Sequence, residues 1–135
     1  MPHKIRKKIE KVRLTLDLLD EYKDNCEERF LNDSMFEGAL LHYLYLVSDS
    51  SITLAEMLIK KRGLMRPDSY YESISILGQY KIIPRNFAYE FANIASFRNF
   101  LAHDYDNVES VIVCKTIVTK LDDVRTYLDY IEKAL

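Results

Sequence analysis

Apolar side chains recur at alternating steps of four and three residues along most of this chain, and that spacing commits it to helices that pack along one stripe. Ile5, Ile9, Val12, Leu16 and Leu19 open the pattern. Leu40, Leu44, Val47, Ser51, Leu54 and Leu58 repeat it, with Ser51 as the one polar intruder. Ile117, Leu121, Val124, Leu128, Ile131 and Leu135 close it. An α-helix returns to the same face every three to four residues, whereas a half-buried strand alternates in twos. Turn material is also scarce, since 135 residues contain three glycines and three prolines, too few for the tight turns of hairpins and sandwiches. The expectation is an all-α fold, an up-and-down antiparallel bundle of about five helices, with residues 1–135 forming a single domain.

The spacing predicts a first helix over about 3–24 and a second over about 28–62 that stops at Gly63. Pro67-Asp68-Ser69 supplies a turn and a cap for a short third helix from Tyr70 to Leu77, and Pro84 suits the first turn of a fourth. Asp106 or Asn107 is placed to cap a fifth helix. No apolar run approaches the roughly 20 residues of a membrane span, and Met1-Pro2-His3-Lys4 lacks an apolar signal region, so the expected location is the cytoplasm. Cys26 and Cys114 have no metal-ligand spacing and are expected as free thiols, so neither a metal nor a cofactor is expected. The net charge of −2 argues against a generic nucleic-acid binder, but the distribution is uneven. Lys4, Arg6, Lys7, Lys8, Lys11 and Arg13 stand against Glu10 alone near the start. Lys60, Lys61, Arg62 and Arg66 form a second basic group, which suits the C-terminal end of a helix dipole.

The fourth helix carries two stripes. Phe87, Phe91, Ile94, Arg98, Leu101 and Tyr105 follow the apolar rhythm, so Arg98 stands where the pattern requires a hydrophobe. A buried unpaired guanidinium loses several kcal/mol of hydration, so Arg98 must meet a carboxylate or face a wet cleft. Ala88, Ala92, Ala95, Asn99 and Ala102 form the neighbouring stripe, short enough for a close helix contact within the bundle or across a dimer. Arg98 and His103 lie about 140° apart on an ideal helix, whereas Asn99 and His103 share a face. The chemistry of the set is suggestive. Arginine holds phosphate oxygens in a planar fork, and histidine moves protons near neutral pH. By spacing alone, however, the set also reads as a paired arginine, a surface histidine at a helix end and a tyrosine closing the core. His42 reads as a core or interface histidine, and the ten tyrosines, Tyr45 and Tyr70 among them, as core and rim residues.

Phe97-Arg98-Asn99-Phe100-Leu101-Ala102-His103-Asp104-Tyr105 changes that balance when taken with its setting: two long helices, a short helix beginning Tyr70-Tyr71-Glu72-Ser73, and the connection ending Lys81-Ile82-Ile83-Pro84. From near residue 30 to the C-terminus the chain resembles the HepT-type ribonuclease toxins of the HEPN family, through the pattern Arg-x4-His-x-Tyr. The resemblance implies a HEPN-like homodimer in which two motif helices form one composite cleft. It implies a metal-independent endoribonuclease and toxin, with Arg98 on the scissile phosphate, His103 as acid or base and Asn99 orienting the pair. It also implies a minimal nucleotidyltransferase (MNT) antitoxin that transfers AMP to Tyr105. Related toxins often show an acidic residue facing the motif from the second helix; Asp49 is nearest that position, although Ser51 occupies the stripe. Two other readings stay open: a non-catalytic HEPN subunit that docks on a nucleotidyltransferase and helps bind nucleotide or substrate, and a purely structural bundle.

Overall fold

A computed structural model describes residues 2–135, the side chains of Pro2 and Tyr105 excepted. Among the described residues the chain forms seven α-helices and no strand: α1 (Pro2–Asp20), α2 (Cys26–Asn32), α3 (Ser34–Arg62), α4 (Tyr70–Gln79), α5 (Arg85–Phe91), α6 (Ile94–His103) and α7 (Leu121–Lys133). Between α6 and α7 run a 3-10 turn (Tyr105–Asn107), a π-helical stretch (Ile112–Ile117) and a second 3-10 turn (Val118–Lys120). The all-α architecture is as expected. No described helix is long and apolar enough to cross a membrane.

The long α3 is the spine, against which α1, α2, α4 and α6 pack. Its expected stripe is buried throughout, Ser51 included. Ser51 Oγ donates to the Val47 carbonyl at 2.8 Å, and the Ser51 carbonyl accepts from the Tyr127 hydroxyl at 2.7 Å. The small side chain thus leaves room for a fully buried phenol whose one polar atom is satisfied. Burial pushes the Tyr127 phenol far above its ordinary range, so it stays a neutral donor.

Two expected helices are each divided. The second breaks at Asp33, whose carboxylate accepts from the backbone N–H groups of Met35 (3.0 Å) and Phe36 (3.2 Å) and so caps α3. The fourth breaks at Ala92-Asn93, where bonds from Asn93 to Glu90 and from Ala95 to Ala92 tighten the backbone between α5 and α6. α1 ends at Asp20 rather than near residue 24, and the expected fifth helix becomes regular only at Leu121. At the other end of α3, Gly63 (φ 64) takes the left-handed cap conformation that favours glycine.

Cys26 and Cys114, expected as free thiols, form a disulfide with Cα atoms 5.7 Å apart. It ties the start of α2 to the π-helical stretch, two segments separated by 88 residues that only the folded chain brings together. Arg13, from the N-terminal basic group, bonds Asp129 at 2.8 Å and also Glu132, joining α1 to α7. Arg62, in the last turn of α3, donates to the Ala134 carbonyl beyond the end of α7.

The buried part of the alanine stripe serves the interior of the bundle. Ala88, Ala92 and Ala95 are buried, and a Cβ built on Gly78 of α4 would lie 2.5 Å from the Cβ of Ala88 on α5. In an open helix glycine to alanine stabilises by about 0.5–1 kcal/mol. Here that gain is outweighed by overpacking, which costs about 1–3 kcal/mol. Gly78→Ala should therefore lower the urea midpoint; a raised midpoint would show that the α4–α5 contact yields easily.

Candidate functional site

The site forms where α3 and α6 run alongside each other. Asp49 on α3 meets Arg98 on α6, while Leu41, His42 and Tyr45 lie beside Leu101 and Ala102, so rising residue number on one helix meets falling number on the other. His42, Tyr45 and Asp49 are spaced i, i+3, i+7 and therefore line one face of α3. On either side of Arg98, Leu101 is buried in the core and Phe97 packs against it, and α6 ends at His103 with Asp104 as its cap.

Arg98 meets the carboxylate its placement requires. Its Nε donates to Asp49 Oδ1 at 3.1 Å, its Nη2 to the Tyr45 hydroxyl at 3.2 Å and its Nη1 to Asn99 Oδ1 at 3.2 Å. The guanidinium carbon lies 4.8 Å from the centre of the Tyr70 ring and 5.4 Å from that of Tyr45. Both distances fall within the range of cation–π attraction. Burial lowers the affinity of Arg98 for its proton, but the hydrogen bond to Asp49, the neighbouring Tyr45 and Tyr70 and the Asp49 charge together outweigh that effect, and the pKa is raised above its already high ordinary value. The cation is permanent. The Arg98 side chain is 16% exposed and that of Asp49 40%, so the pair lies at the edge of solvent. At such exposure an ion pair contributes about 0–1 kcal/mol to stability. Its larger effect is geometric, since three hydrogen bonds and two rings leave the guanidinium few orientations. A guanidinium carries about five N–H donors, and those not engaged by protein remain available to an anion.

Of the residues singled out in the sequence, Asp49 and Asn99 are therefore brought to Arg98. His103 ends α6, exposed and roughly 7.5 Å further along the helix axis. The Tyr105 side chain lies outside the described residues; its backbone opens the 3-10 turn that follows Asp104. Tyr45, partly buried against the core, and Tyr70, at the rim, stand where core and rim residues were expected and also hold Arg98. His42, expected in the core or at an interface, is exposed in the single chain, on the face of α3 that also carries Tyr45 and Asp49. The i, i+3, i+7 line through Asp49 is the sequence signal that would have found both His42 and Tyr45. Tyr70 had none, since it reaches Arg98 from the start of a separate helix.

Residues 12–131 match the family described as ribonuclease HepT-like. The tRNA nuclease HepT of Aphanizomenon flos-aquae (strain 2012/KM1/D3) is 26% identical over 131 residues, covering 92% of this chain and 89% of that protein. The mRNA nuclease HepT of Shewanella oneidensis is 22% identical over 104 residues, covering 77% and 78%. Among solved structures, the tri-AMPylated Shewanella oneidensis HEPN toxin in complex with MNT antitoxin superposes with a TM-score of 0.83 at 20% identity, covering 96% of each chain.

Proposed function

The chain belongs to the ribonuclease HepT-like family, and on that premise we propose that it is the toxin of a HEPN/MNT toxin-antitoxin module, a metal-independent endoribonuclease silenced by AMPylation of Tyr105. The observation that carries this reading is Arg98, a permanent cation steadied by Asp49, Tyr45, Asn99 and Tyr70 at the margin of solvent. Such a group binds the scissile phosphodiester and offsets charge that develops on its oxygens in the transition state. The ribose 2′-hydroxyl loses its proton to a base and attacks phosphorus; the bond to the 5′-oxygen breaks, and that oxygen takes up a proton from an acid. His103 supplies one of these two proton transfers. The products are a 2′,3′-cyclic phosphate and a free 5′-hydroxyl, and the reaction calls on no ion beyond the guanidinium.

On ideal helix geometry Arg98 and His103 point in different directions. Two α6 helices brought together in a homodimer would set the groups of one protomer opposite those of the other and complete a cleft. The place of action on this reading is the cytoplasm. The HepT relatives are named for different RNA classes, so the substrate is assigned only as RNA.

The test uses the purified full chain. With EDTA present it should cut RNA to fragments ending in 2′,3′-cyclic phosphate; cleavage abolished by EDTA, or fragments carrying only 3′-hydroxyl ends, counts against the chemistry. Co-expression with a cognate minimal nucleotidyltransferase should add AMP in discrete mass steps and remove cleavage, because each phosphodiester brings negative charge to the cleft mouth. Tyr105→Phe should gain no mass and stay active beside the partner. A Phe variant neutralised as fully as the parent would show inhibition by docking alone.

A further inference from the structure

His42, Tyr45, Leu41, Leu101 and Ala102 line a depression of about 300 Å³ beside Arg98. None of its polar groups is needed for the phosphate chemistry above, except that the Tyr45 hydroxyl accepts from Arg98 at 3.2 Å. The same phenol ring therefore forms part of the wall of the depression and part of the cradle of the guanidinium. Leu41 and Leu101 form its buried apolar floor, His42 is an exposed imidazole at its rim, and Ala102 is exposed with almost no side chain to fill it. The His42 ring centre lies 5.9 Å from that of Tyr43, which limits the space the imidazole can sweep.

We propose that this depression is a nucleobase subsite, taking the base of a nucleotide whose phosphate lies on Arg98; the assignment of that phosphate to RNA rests on the ribonuclease reading. Three features select a base over other ligands. The walls combine an aromatic ring with aliphatic surface, which suits the flat face of a base. The imidazole at the rim offers a hydrogen-bond donor and acceptor to a base edge. And the depression shares Tyr45 with the anion site, so one ligand carrying both a phosphate and a flat heterocycle engages both at once. Stacking tolerates every base, whereas a hydrogen bond at His42 distinguishes among them, so His42 is assigned as a specificity-determining residue and Tyr45 as a positioning residue shared by the two sites.

Calorimetry on the full chain separates the base from the phosphate. Nucleoside 3′-monophosphates should bind at least about tenfold more tightly than inorganic phosphate, the surplus typical of one stacked base. His42→Ala should flatten the preference among the four nucleotides while keeping the stacking surplus, and Ala102→Leu should remove that surplus by filling the space. Both positions are exposed, and neither substitution should change phosphate affinity. A parent that binds nucleotide no better than phosphate, or a surplus that survives Ala102→Leu, overturns the subsite, and a base preference that survives His42→Ala overturns the role of His42. Nucleotide binding that follows this pattern in a chain unable to cut RNA leaves the subsite standing and removes the ribonuclease reading instead.

Discussion

Arg98→Ala should lower RNA cleavage by about a hundred- to a thousandfold while leaving thermal stability nearly unchanged. The loss of activity follows from removing a preorganised charge from the developing oxyanion, an effect of about 3–4 kcal/mol on the barrier. The preserved stability follows from exposure. Deleting one partner of a deeply buried ion pair is costly because the other charge is left dry, but the Asp49 side chain is 40% exposed and water can take over its solvation. Arg98→Lys should rescue little. An ammonium keeps the charge, but it cannot bond Asp49, Tyr45 and Asn99 from one plane or lie flat against Tyr70. His103→Ala should cost about a hundredfold or more by removing one proton transfer. Initial rates on a defined RNA, read beside melting curves of each variant, check all three expectations. Cleavage that persists in both alanine variants would place the active site elsewhere.

Removing the disulfide by one double substitution should markedly lower stability. Cys26 and Cys114 are 88 residues apart, and closing a loop of that size restricts the unfolded chain by about 4.6 kcal/mol on the chain-entropy account. For a domain of this size that corresponds to a fall in melting temperature of about 15 °C. Cys26→Ala combined with Cys114→Ala should melt where the reduced parent melts, and the oxidised parent should melt well above both. Coincident melting of oxidised and reduced parent would mean that the bond contributes nothing to the native state. The fall should be accompanied by loosening of the π-helical stretch, since the bond anchors it to α2.

The helical character was legible because burial follows the stripe closely. Ile5, Ile9, Val12, Leu16 and Leu19 are each 3% exposed or less, as the four-three rhythm required. The breaks were not legible, because the rhythm continues across them. Ala88, Ala92 and Ala95 step evenly through the junction of α5 and α6, and the backbone tightens there without any proline or glycine to mark it. Asp33 is a good cap residue, yet the apolar residues on either side of it allowed one long helix to be read. At the site, the misplaced arginine in an apolar stripe announced that a partner must exist. Asp49 was named as the nearest acid, but it lies off the α3 stripe, which pointed to Ser51 instead. Ser51 faces the core and takes the Tyr127 hydroxyl on its carbonyl, while Asp49, two residues earlier, emerges at the edge where α6 passes.

Local spacing by itself determined which face of each helix is apolar and where a charged group interrupts that face, since both are properties of short stretches of sequence, and the order of motif and flanking elements along the chain carried the family resemblance. The tertiary structure decided which groups meet: Arg98 with Asp49, Tyr45 and Tyr70, Tyr127 with Ser51, and Cys26 with Cys114. Those pairings depend on the axial register and rotation of one helix against another. Close packing of the whole core sets that register, because side chains from several helices must interdigitate at once, and no spacing within a single helix encodes the outcome.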